Sequence, residues 1–200
     1  ALRSPTHEPV RLPLAGSSEF SARFLSLIFG VLTIPVLYLA VRLHFGQRAA
    51  LLAALLAAIS PFWVYYSQEA RMYAQVTFFS LLSVYLFLRL TNPKSKIQNP
   101  KSLWFGYVLA SALALFTYYF SGFVLLAQNL AYLGWLIQWR VAPGQSEIQN
   151  LKSKILLWSG AQIGIILLIL PWIIYAWQSL LATSGAVNRM AIPLSDILRH

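Results

Sequence analysis

Six apolar runs, at about 22–43, 49–66, 72–90, 103–120, 122–140 and 155–177, take up most of the 200-residue chain. Each is close to the ~20 residues that an α-helix needs to cross a bilayer. No period-2 alternation persists through them, and an open sheet edge cannot sit in hydrocarbon, so strands are implausible. The predicted fold is all-α: a polytopic bundle of about six membrane spans, forming one transmembrane domain over residues 1–200. Composition agrees. Charged residues are 10% of the chain and apolar residues 58%, with a mean hydropathy of +0.65. A soluble domain carries about 25% charged residues to solvate its surface. Lipid is the solvent that such a chain fits.

A net charge of +10 would suggest nucleic acid as a partner if the protein were soluble. Here the basic residues sit in short segments between apolar runs, where they set orientation, so nucleic acid is excluded as a partner. Arg42, Arg48, Arg89, Lys94, Lys96, Lys101, Arg140, Lys152 and Lys154 fall on one side; Arg3, Arg11, Arg23, Arg71, Arg189 and Arg199 fall on the other. The positive-inside rule puts the first group in the cytoplasm. Residues 1–21 and the Ser67–Arg71 turn then face the exterior, and 91–102 and 141–154 form cytoplasmic loops. These two loops contain similar segments, Lys94–Ser102 and Glu147–Lys154. The similarity suits either a patch for anionic lipid headgroups or low-complexity filler with topogenic charge. Alanines at 49, 50, 53, 54, 57 and 58 suit close helix packing in the second span, although Ala also simply favours helix.

Few residues are candidates for chemistry. There is no Cys, the three His have no metal-ligand spacing, and neither a phosphate-binding Gly loop nor an HExxH pattern occurs. Of five acidic residues, Glu69 stands apart, because it lies where one span ends and the next begins. It belongs to Ser60-Pro-Phe-Trp-Val-Tyr-Tyr-Ser-Gln-Glu-Ala-Arg-Met-Tyr73. A carboxylate there is either a cap for the third span or a hard-oxygen ligand for a divalent metal, Mg2+ or Mn2+. Arg71 either snorkels to water or grips a phosphate with two hydrogen bonds. Tyr65, Tyr66, Tyr73, Tyr118 and Tyr119 either anchor the interface or line a sugar-phosphate pocket.

The stretch Pro61–Arg89, with its Ser-Gln-Glu-Ala-Arg-Met-Tyr core, resembles the dolichyl-phosphate-mannose protein mannosyltransferases. These form glycosyltransferase family 39, with bacterial relatives, within the GT-C membrane superfamily. Gly16–Leu25, Phe29–Thr33, Thr117–Phe120, Leu170–Trp172 and Ile192–Arg199 are also similar in pattern. The resemblance implies transfer of a sugar from a polyprenyl- or dolichyl-phosphate donor to a protein, lipid or glycan acceptor. Transfer would occur on the exterior face of a bacterial-type plasma membrane, as part of protein glycosylation or cell-envelope assembly. It implies that Glu69 is the second acidic position of the family, which helps hold the metal and the donor phosphate. Arg71, Tyr66, Gln68, Tyr73 and Tyr118 then become candidate substrate-binding residues.

The family's first acidic pair, which supplies the catalytic base, has no match, since no Asp precedes Asp196. The catalytic residue is therefore unassigned. Many relatives also carry His at the position of Tyr118. Ala1–Gly16 has neither a starting Met nor a signal pattern and reads as the middle of a longer protein, so the chain is expected to be an incomplete piece of the enzyme, inactive alone. Two other classes fit a polytopic bundle: a transporter or flippase, built around breaks such as Gly30 and Pro35, and a non-catalytic membrane scaffold.

Overall fold

The computed structural model describes residues 19–69, 72–92, 100–141 and 148–190. Residues 1–18 of the expected exterior segment, 93–99 and 142–147 of the expected cytoplasmic loops, and Arg71 lie outside the described residues. Among the described residues there are six α-helices: α1 (Glu19–Ile59), α2 (Pro61–Gln68), α3 (Tyr73–Thr91), α4 (Pro100–Thr117), α5 (Gly122–Val141) and α6 (Ile148–Met190). A single 3-10 turn, Tyr119–Ser121, precedes α5. The chain divides into two compact units, residues 1–144 and 145–200. The second contains α6, which runs through Pro171.

Among the described residues four helices are long and apolar enough to cross a membrane: Arg23–Ile59, Tyr73–Thr91, Tyr119–Ile137 and Ser153–Gln178. Lys101–Thr117 is a shorter apolar helix. Large apolar side chains point outward along them, with Leu56 63% exposed and Leu130 60% exposed. In water such a surface would drive aggregation. In lipid it is the expected exterior.

The 41 residues of α1 are two helices joined across a kink at Gly46, whose φ of 82° and ψ of 177° leave the helical region. That conformation is nearly restricted to glycine, because a Cβ would clash with the backbone. The break falls between the first two predicted spans. Gly30 and Pro35, by contrast, keep helical backbone angles, so neither breaks α1 as the transporter reading supposed. The predicted 49–66 span is interrupted instead. It stops at Ser60, in extended geometry, and resumes as α2 with Pro61 in the first turn. The proline ring disfavours helix for the residue before it, and the Ser60 hydroxyl accepts a bond from the Trp63 amide at 3.4 Å, which caps the new start. The predicted division of 103–140 is present. Tyr118 is extended, with φ −158° and ψ 120°, and it separates α4 from α5.

Helix α3 is central to the first unit and packs against α1 and α4. Phe29 of α1 meets Phe78 and Phe79 of α3 at ring separations of 5.3 and 5.2 Å. On its other side, buried polar groups link three helices. Ser83 of α3 and Ser111 of α4 share a 2.8 Å hydroxyl bond. Gln128 of α5 donates to Ser83 at 3.1 Å and accepts from the Tyr107 hydroxyl at 3.0 Å. Hydrogen bonds between helices hold membrane bundles together where no hydrophobic effect acts between them. Nothing in the periodicity marked these four residues. The alanine-rich half of α1 does carry its expected packing face: Ala50 is fully buried and Ala53, Ala54 and Ala57 are half-buried, while Leu51, Leu52, Leu55 and Leu56 point outward.

Candidate donor site at the α2–α3 junction

The two halves of the Ser60–Tyr73 block fold as a short helix and a turn. Only eight residues long, α2 ends at Glu69, which is its C-cap in extended geometry (φ −75°, ψ 132°). Met72, rather than Glu69, occupies the N-cap of α3 and makes no side-chain cap bond. The half-buried Glu69 therefore closes a short helix, a different place from the start of α3 expected for a macrodipole cap. A carboxylate gains nothing from the dipole at a helix C-terminus, so its position is not explained by capping.

Tyr66 is the hub of an aromatic cluster. Its ring lies 4.5 Å from Phe62, and edge-to-face against Tyr65 at 5.4 Å and Tyr73 at 5.2 Å. Such T-shaped pairs set the positive ring edge against a negative face. Because Tyr66 belongs to α2 and Tyr73 opens α3, their contact ties the two ends of the turn that contains Glu69. Among the described residues neither phenol makes a hydrogen bond, which leaves both hydroxyls available to a ligand.

Behind the cluster lies a cavity of about 320 Å3, lined by Gly30 of α1, Phe62, Trp63, Tyr66 and Ser67 of α2, and Tyr73, Ala74 and Thr77 of α3. Gly30 is what allows α1 to approach. A Cβ there would collide with the Cβ of Ser67. The Trp63 indole donates to the Gly30 carbonyl at 3.2 Å, holding α2 against α1. The Ser67 hydroxyl bonds to Val64 O at 2.8 Å.

The structure thus brings Tyr66 and Tyr73 together at one pocket, with Glu69 on the turn between them. The Gln68 side chain and Arg71 are outside the described residues. Tyr118 is elsewhere: its ring packs at a tilt against Tyr119 and Phe120, both at 5.3 Å, and does not line this cavity. Sequence reasoning missed Gly30, Trp63, Ser67 and Thr77. Phe29–Thr33 lay within one of the family-like segments, but only the fold shows that it faces the Ser67 turn.

Among the described residues no group of three His, Cys, Asp or Glu could enclose a metal ion. Among the described residues Glu69 is the carboxylate that follows α2, between the cavity-lining Ser67 and Tyr73 in the chain. A complete cage of protein ligands is therefore not what these residues make, although Mg2+ commonly takes one or two carboxylates and completes its shell with phosphate oxygens and water.

This arrangement falls within a recognised domain. The dolichyl-phosphate-mannose-protein mannosyltransferase domain matches residues 10–175, most of the chain. The protein belongs to that family. No curated protein and no solved structure matches the chain. Membership of the mannosyltransferase family makes this a glycosyltransferase domain. The aromatic cavity, Glu69 and the Gly30 contact all lie inside the matched region.

Proposed function

We propose that the protein transfers a sugar from a dolichyl- or polyprenyl-phosphate donor to a hydroxyl of a protein, lipid or glycan acceptor. Transfer takes place on the exterior face of a plasma membrane. The observation that carries this reading is the cavity at the α2–α3 junction. It sets two available phenols and the Glu69 turn beside apolar walls, as a ligand with a polar head and a hydrocarbon tail requires. Tyr66 and Tyr73 offer ring faces and hydroxyls to the sugar. Gln68 and Arg71, which flank Glu69 in the sequence, would supply an amide and a guanidinium for the sugar and phosphate. Tyr118 belongs to a separate aromatic cluster and does not line this cavity. In the transfer, the acceptor oxygen bonds to the anomeric carbon as the carbon–oxygen bond to phosphate breaks. The lipid phosphate leaves with the electron pair, the acceptor proton goes to a base, and the anomeric centre inverts. Glu69 would hold a divalent ion together with phosphate oxygens, and such an ion neutralises charge on the departing phosphate. Transfer of labelled sugar in membrane vesicles is expected to require the lipid-linked donor. Equal transfer from a nucleotide sugar without lipid carrier would refute the reading.

The topology belongs to the same proposal. Gly46 divides the 37-residue stretch of α1, which at 1.5 Å per residue is far longer than a ~30 Å core, and the part after Gly46 reaches crossing length only together with α2, so α1 and α2 make two crossings. With α3, α4, α5 and α6 that gives six. Ser67 is packed against Gly30, so Tyr65, 64% exposed, is the better probe position on that turn. On this Cys-free chain, Tyr65→Cys should react with a membrane-impermeant thiol reagent from outside, and Ser95→Cys only after permeabilisation. The reverse pattern would invert the topology and remove the exterior site.

A further inference from the structure

At the opposite end of the first unit, α1, α3 and α5 leave a cavity of about 510 Å3 between them. The 19 residues of α3, roughly 28 Å at 1.5 Å each, separate it from the Glu69 turn. In the proposed topology this end faces the cytoplasm. Packing explains the gap, because α3 lies closely against α1 and α4 and only lightly against α5.

The lining divides by chemistry. Leu43 of α1, Phe87 of α3, and Ala131 and Trp135 of α5 supply apolar and aromatic walls. The Trp135 ring is braced by stacking on Tyr132 at 5.6 Å. The polar lining is His44 of α1, with Thr91 and Asn92 at the end of α3. The Thr91 hydroxyl donates to Phe87 O at 2.9 Å. The donors for a ligand are therefore the imidazole of the exposed His44 and the Asn92 amide, which carries two N–H bonds. Apolar walls beside N–H donors at a membrane boundary fit an amphiphile whose head accepts hydrogen bonds.

Charge specifies the head. Arg42 and Arg89, on the same stretches of α1 and α3, each fold back over a tyrosine one turn earlier. The Arg42 guanidinium lies 5.9 Å from the Tyr38 ring centre, and that of Arg89 lies 6.0 Å from Tyr85, whose hydroxyl accepts from it at 3.4 Å. Such cation–π contacts hold both charges near the membrane boundary. The carbonyl dipoles where α3 ends and where α1 kinks at Gly46 oppose an anion with about half a charge each. Two full guanidinium charges outweigh them. Glu19 and Glu69, the acidic residues of the described segments, begin α1 and close α2, away from this end.

We infer that the cavity between α1, α3 and α5 binds the head of an anionic phospholipid from the cytoplasmic leaflet. The phosphodiester sits at His44 and Asn92, and the glycerol and first acyl carbons run along Leu43, Phe87 and Ala131. Basic clefts between membrane helices on the cytoplasmic side recognise heads of this kind. The lipid bridges the lightly packed α5 to α1 and α3. Only the choice of leaflet rests on the topology proposed above.

The test is native mass spectrometry of the intact protein, stripped of bulk lipid in detergent and titrated with phosphatidylglycerol. One molecule should be retained, at a half-saturating concentration roughly tenfold below that of the net-neutral phosphatidylcholine, as one or two added cation–anion contacts imply. Binding to the folded state should also raise the melting temperature. Ala131→Phe fills the cavity and should abolish both effects. His44→Ala leaves the space and should weaken retention about tenfold, the scale of one hydrogen bond to a charged group; as a change at an exposed side chain it keeps the test decisive should Ala131→Phe fail to fold. Equal retention of phosphatidylcholine would overturn the anionic head. Displacement of phosphatidylglycerol by equimolar glycerol 3-phosphate would make the ligand a free phosphate ester and overturn the lipid. Unchanged retention in folded variants would put the lipid elsewhere. An inverted topology in the thiol-labelling experiment would overturn the cytoplasmic leaflet alone, with lipid retention intact.

Discussion

Glu69→Gln should lower sugar transfer by the intact enzyme about a hundredfold or more, the scale of losing one electrostatic contact to the developing charge of a transition state. Glutamine keeps the size and the hydrogen-bonding capacity of glutamate and removes only the charge. Glu69 closes α2 rather than opening α3, so the loss would not come from a weakened α3 cap. Arg71→Lys separates two further roles. A point charge would survive the change with little loss, whereas a two-pronged grip on phosphate would suffer nearly as much as Glu69→Gln. The measurement is transfer of labelled sugar from polyprenyl phosphate, with and without added Mg2+ or Mn2+. Wild-type turnover and metal response in Glu69→Gln would reduce the carboxylate to a structural end-group.

Gly30→Ala should destabilise the bundle even though alanine is the better helix former by about 1 kcal/mol. The added Cβ meets the Cβ of Ser67, with Ser67 Cα and Oγ at 3.4 Å. These are backbone and near-backbone atoms, which cannot swing aside like the end of a long side chain. Overpacking of this kind costs about 1–3 kcal/mol. The strain falls on the α1–α2 contact that the Trp63–Gly30 bond secures, so donor binding should weaken along with stability. Ser67→Gly removes the colliding atom, so the double variant should recover much of the loss, a coupling that distant residues would not show. Unfolding of the single and double variants in mixed micelles, read beside donor affinity, gives the answer. A Gly30→Ala protein as stable as the wild type would mean that α1 and α2 do not approach at Ser67.

The all-α class, the break near Gly46 and the turn at Tyr118 were legible from the sequence because they follow from local rules. Apolar runs of spanning length must be helices where no water can satisfy the backbone. A glycine or an extended residue marks where such a run turns. Glu69 stood out for a related reason, as a carboxylate between two apolar runs that is either a cap or a ligand. The stop at Ser60 is local too, yet Ser60 and Pro61 lie inside an apolar run whose length argued for one span. Proline stereochemistry, with a serine cap, outweighed that argument.

What only the tertiary structure decided is which of these pieces meet. Tyr66, Tyr73 and Tyr118 looked alike in sequence as aromatic residues near one membrane face. Packing joins the first two at a cavity and puts the third in a separate cluster with Tyr119 and Phe120. Gly30 read as a possible break in a helix, and in the fold it is a point of close approach. Ser83, Ser111, Gln128 and Tyr107 drew no notice in the sequence, and in the fold they are partners. The physical reason is common to all three cases. A bilayer constrains every residue of a span in the same way, so the apolar pattern determines that a helix crosses. Which helix faces which is set by contacts between residues far apart in the chain, such as a missing Cβ opposite Ser67 or a hydroxyl within reach of Gln128. No local pattern carries that information.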